Sequence, residues 1–157
     1  MRLSVRKGFS FGLTSGIITT LGLIVGLHSS TSSDIAVIGG VLVIAIADAL
    51  SDAFGVHISE EAENKHTNKE VWESTAATFL SKFIFSITFV IPILVFSLSI
   101  AIIISIIWGF FLIAIFSYYI AKLQRTAAPK IIMEHLSIAL VVIIITHYIG
   151  EWIALVF

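Results

Sequence analysis

The chain has 157 residues, 58% of them hydrophobic and only 12% charged, with a formal net charge of −1. A soluble domain carries about 25% charged residues, so composition alone excludes one, and no nucleic-acid partner is expected. There is no cysteine, which rules out disulfides and thiolate metal sites.

The apolar residues fall in long runs, which predicts an all-α integral membrane protein. Five transmembrane helices of about 20 residues each fit, at roughly 9–27, 35–58, 76–96, 99–121 and 132–156, in one transmembrane domain covering 1–157. The first contains GFSFGLTSGIITTLGLIVGL, residues 8–27. Gly8, Gly12 and Gly16 recur every four residues, a small-residue spacing that lets two membrane helices approach closely. They are expected to form a homodimer interface; the alternative is packing within one bundle. Ser15 and Thr19 share the same arc of about 120°.

The second span carries Asp48 and Asp52, which stack on one helix face, with Ser51 beside them. An ionisable group in a span costs about 3 kcal/mol, so each is a functional candidate. The bland alternative is a pair of neutral acids hydrogen-bonded to hydroxyls of the first helix. Asp52 and Ser15 both fall roughly 9 Å from the cytoplasmic end of their helices.

After it comes a polar segment, 59–75, expected as a short cytoplasmic loop. Glu60, Glu63, His66, Glu70 and Glu73 are candidates to gather metal there; the alternative is a solvated linker. In the third span Lys82 is expected to snorkel to the cytoplasmic surface, and Pro92 to bend or end the helix. The fourth span carries no Asp, Glu, His, Lys or Arg; Lys122 follows it. The fifth carries His147 and Glu151 at i, i+4, candidates for the same polar ladder or simply a pair near the outer surface.

Every Lys and Arg falls on one side: Arg2, Arg6 and Lys7, then Lys65 and Lys69 with Lys82 less than two turns into the third span, then Lys122, Arg125 and Lys130. By the positive-inside rule the N-terminus is cytoplasmic and the C-terminus outside. Carboxylate and imidazole donors suit first-row divalent metals such as Fe2+, Mn2+ or Zn2+, and can also relay protons.

Two segments together resemble the vacuolar iron transporter family: GLTSGIITTLGLIVGL (12–27) and ADALSDAFGVHISEEAE (47–63), the second being the more specific. Weaker likenesses are TAATFLSK…IPIL (75–94) and ITHYIGEW (145–152). The resemblance implies a transporter and no enzyme. Fe2+ or Mn2+ would be the cargo, with Zn2+ or Co2+ as further candidates, and no cofactor would be permanently bound. Metal would leave the cytosol in exchange for protons, along a path between the two copies of a homodimer. Asp48, Asp52, Ser15, Thr19, Ser51, His147 and Glu151 would line that path. Its place would be the cell membrane, or an internal storage-compartment membrane in a eukaryote.

The sequence also departs from the family. The first-helix aspartate corresponds to Ser15, the second-helix methionine to Asp52, and the glutamate after the helix glycine to Val56. The large cytoplasmic metal-binding domain is replaced by the short segment after Ser59. An acid lost from the first helix and gained on the second at equal depth would keep a carboxylate at that level of the path. Two other readings stay open: a non-transporting membrane metal sensor or scaffold, and an intramembrane metal-dependent enzyme.

Overall fold

The computed structural model describes residues 2–157, and all regular structure among them is helical. Five helices are long and apolar enough to cross a membrane: α1 Leu3–Thr31, α2 Asp34–Glu63, α3 Asn68–Val95, α4 Leu98–Gln124 and α5 Ala128–Val156. Each overruns the span expected for it, because hydrogen bonding continues into polar flanks after the apolar run has stopped. At 27 to 30 residues they are roughly 40–45 Å long, against about 30 Å of hydrocarbon.

The overrun corrects the expected loop at 59–75, most of which is helix. α2 runs to Glu63 and α3 begins at Asn68. Asn64 ends α2 in the left-handed conformation, φ 48°, which a short polar side chain tolerates. Thr67 then opens α3 with a capping box. Its Oγ1 accepts from the Glu70 amide at 3.3 Å, and Glu70 Oε2 accepts from the Thr67 amide at 2.9 Å. Thr67→Ala is expected to cost about 1 kcal/mol, read as a lowered midpoint of thermal unfolding in detergent; an unchanged midpoint would show that the cap contributes nothing.

Two helices are irregular. α2 widens to a π-helical segment at Ile44–Asp48, which ends one turn before Asp52. α3 is interrupted at Phe89, one turn before Pro92, whose missing N–H and ring disturb the preceding turn.

Apolar side chains face outward, as a lipid solvent requires. On α2, Leu42, Ile46, Leu50, Phe54 and Ile58 are all exposed and recur every four residues, forming one stripe along the helix. The ionisable residues of that helix lie off the stripe.

The chain divides into two units. The first comprises the chain up to Ile17 together with Val41–Val90. Its core mixes Leu13, Ile17, Val41, Ala45, Ala49 and Phe89 with buried Glu60, Ser74, Thr78, Ser81, Lys82 and Ser86. The second comprises Ile18–Gly40 and Ile91–Phe157. Its core is apolar, with Leu21, Ile24, Val37, Ala101, Ile113 and Ile143, and its buried polar residues are the hydroxyls Thr20, Ser105 and Ser117.

Within the first unit α1 and α3 lie almost backbone to backbone, and the glycines are the reason. A Cβ on Gly8 would strike the Ser74 carbonyl, and one on Gly12 the Thr78 carbonyl and Ser81 Oγ. One on Gly16 would come within 3.0 Å of the Lys82 carbonyl and 3.1 Å of its Cα. The dimer interface expected of Gly8, Gly12 and Gly16 is therefore corrected: this stripe is spent on α3 of the same chain.

Candidate functional site

The close approach of α1 to α3 brings a lysine to the acids of α2. Lys82 has no solvent-exposed surface, and its stem passes Gly16, where a Cβ would lie 3.1 Å from Lys82 Cγ. Its Nζ lies 2.5 Å from both Asp48 Oδ2 and Asp52 Oδ2. It also donates to Ser15 Oγ at 2.9 Å. Two of the three ammonium protons go to Asp52 Oδ2 and Ser15 Oγ; Asp48 Oδ2 is in ion-pair contact but has no hydrogen-bond partner. Ser15 Oγ in turn donates to Asp52 Oδ2 at 2.7 Å.

Lys82 does not snorkel, which corrects the sequence reading. It also drops out of the charge count that orients the chain, leaving that count to the terminal and loop residues. The equal depth read for Ser15 and Asp52 is realised as a direct hydrogen bond. The carboxylates are the more accessible side of the cluster: Asp48 is 33% and Asp52 22% exposed, against none of Lys82. Asp52 opens with Ser51, Gly55, Val56 and Ser59 into a cavity of about 570 Å³, which Lys7 and Phe11 also line.

A second cavity in the same unit, about 430 Å³, gathers four of the five expected cytoplasmic residues: Glu60, Glu63, His66 and Glu70. Glu60 is 1% exposed. Its Oε1 pairs with Lys7 Nζ at 2.8 Å and accepts from Ser74 Oγ at 3.4 Å. Its Oε2 has no hydrogen-bond partner, His66 Nε2 standing 3.8 Å away. His66 Nε2 is 3.4 Å from Glu63 Oε2. Glu73 lies apart, held by Arg2 and by Ser4 Oγ, and Glu70 serves as the cap of α3. Among the described residues, no group of three or more His, Asp or Glu is arranged to hold a metal ion.

His147 and Glu151 belong to the second unit, as does Thr19. His147 Nδ1 is 2.7 Å from Ser29 Oγ, which leaves Nε2 turned toward Glu151 Oε1 at 3.4 Å. The two line an open cavity of about 730 Å³ together with His28, whose Nδ1 is buried without a hydrogen-bond partner. Glycines again set the packing: a Cβ on Gly150 would strike the Gly26 carbonyl.

The segment that brings together Ser15, Asp48, Asp52, Glu60, Glu63 and His66 is also the one that a family model recognises. Residues 7–72 match the VIT family. The match supports membership in the VIT family and points to a membrane metal transporter. It agrees with the resemblance carried by the first two helices, and it ends before Lys82. No curated protein and no solved structure matches the chain. Five apolar helices and the VIT match together describe a multi-pass integral membrane protein.

Two features of the site escaped the sequence reading. Lys82 was legible as one more ionisable residue inside a span, and such residues pair with one another; two acids at similar depth called for a counter-charge. The pairing of Lys7 with Glu60 gave no comparable signal, the two being far apart in sequence.

Proposed function

We propose that this chain, whose residues 7–72 match the VIT family, carries a divalent transition metal, Fe2+ or Mn2+, out of the cytosol in exchange for protons, with Zn2+ and Co2+ as poorer cargo. The observation that carries the reading is the stacked pair Asp48 and Asp52 on a helix of membrane-spanning length, with Asp52 open to a cavity. Hard carboxylate and hydroxyl oxygens favour Mn2+ and Fe2+ over softer ions. A divalent ion matches the charge of the two carboxylates, and protons returning to them reset the pair. Glu60, Glu63 and His66 supply a negative mouth on the cytoplasmic side, which raises local cation concentration. His147 and Glu151 are a separate donor pair, proposed to serve the same cargo.

The test is metal flux in proteoliposomes loaded with a metal-sensitive dye, with and without a pH gradient. Wild type is expected to move Mn2+ or Fe2+ faster under the gradient, and Asp52→Asn to lose at least tenfold of that rate. Flux that ignores Asp52 would overturn the assignment. A second reading, a membrane metal sensor, is favoured by one observation: the acid pair already holds a cation, Lys82. Metal binding with no flux in any gradient would select it.

A further inference from the structure

Given the metal-carrying reading of Asp48 and Asp52, we infer that Lys82 is a tethered competitor for the cation at that pair, so that metal and the Lys82 ammonium occupy it alternately. The ammonium touches the same oxygens that a metal would need, Asp48 Oδ2 and Asp52 Oδ2, each at 2.5 Å. It also takes the Ser15 hydroxyl at 2.9 Å. Divalent cations bind oxygens at about 2.0–2.6 Å, so nitrogen and metal cannot share the position.

Charge leads to the same exclusion. Two carboxylates and one ammonium leave the cluster at a formal −1. A divalent ion added beside the ammonium would bring it to +1 in a medium where net charge is costly. The two cations repel strongly at such range in a low-dielectric medium, so the ammonium must withdraw from the carboxylates as the metal binds.

The fold makes replacement possible from one side. Lys82 is sealed against α1 at Gly16, while Asp52 faces the open cavity with Ser51, Gly55 and Ser59. A cation arriving there meets the carboxylate first and has to push the ammonium back along its own stem. Lys82 thereby sets a threshold: the pair stays half-neutralised and closed to stray cations until metal concentration is high enough to displace it.

The test measures Mn2+ binding to the full-length protein in lipid nanodiscs, by the loss of the free-Mn2+ electron paramagnetic resonance signal. Lys82→Gln is expected to bind Mn2+ at least tenfold tighter than wild type, and Lys82→Arg to bind as weakly as wild type. Adding Asp52→Asn to Lys82→Gln should abolish the gain. Equal affinity in wild type and Lys82→Gln, or a gain that survives Asp52→Asn, would overturn the inference.

Lys82→Gln leaves two acids without their partner, and it can fail to fold. A second measurement therefore uses wild-type protein with 15N-labelled lysine side chains, the Lys82 Nζ resonance being assigned by its absence from Lys82→Arg. Saturating Zn2+ should move that resonance; an unmoved resonance at saturation overturns the inference. Flux is not read in either experiment. A chain that shows this competition but carries no metal overturns the export reading alone. A chain that carries metal with no competition overturns this inference alone.

Discussion

Gly12→Leu is expected to leave little folded protein, whereas Gly55→Ala should be tolerated. At Gly12 the first atom of any side chain strikes the Thr78 backbone carbonyl and Ser81 Oγ, and a backbone cannot rotate out of the way. Overpacking costs about 1–3 kcal/mol where side chains can shift, so a clash against backbone should reach or exceed the upper end. At Gly55 nothing lies within 4 Å of an added Cβ, and alanine is the better helix former by up to about 1 kcal/mol. Thermal unfolding and size-exclusion profiles in detergent read both. The outcome that would sink the intrachain reading is a Gly12→Leu protein that melts like wild type and merely changes from dimer to monomer. A dimer, which the resemblance implies, has to be built on a surface other than Gly8, Gly12 and Gly16.

That pair of glycines shows how far the sequence could be read. Spacing reveals that a helix face is built for close approach, because only small residues permit it. It does not reveal which helix approaches, since α3 and a second copy of the chain offer the same chemistry. The five helices were legible for a comparable reason: apolar runs of span length have few other uses. Their ends were not, because the segment 59–75 is polar whether it is a solvated loop or a helix leaving the membrane. The snorkelling expectation for Lys82 failed for a different reason. With the third span starting at residue 76, Lys82 lies less than two turns in, and snorkelling is natural. The extra turns of α3 lie in its polar flank and leave that depth unchanged; what holds the ammonium inward is the acid pair of α2, 2.5 Å away, a contact that depth along one helix does not reveal. What the sequence did place correctly, Ser15 level with Asp52, survived because the inner ends of the two helices overran by nearly equal amounts, six residues on α1 and five on α2.

The buried lysine also separates folding from transport. Asp48→Asn with Asp52→Asn leaves the Lys82 ammonium with no exposed surface and no opposite charge among the partners it now has. Removing the partners of a buried ion costs about 3–5 kcal/mol, so this double variant should melt far below wild type in detergent. Each single variant should cost less than half as much, because one carboxylate still holds the ammonium. Adding Lys82→Met should recover most of the loss, since an unbranched apolar chain of similar length fills the same channel past Gly16 without a charge. Recovery of stability must not bring recovery of flux: the triple variant has no carboxylate for a metal to bind. A double variant that melts like wild type would show that Lys82 does not depend on these acids. A triple variant that folds and still carries Mn2+ would move the metal path away from α2 altogether.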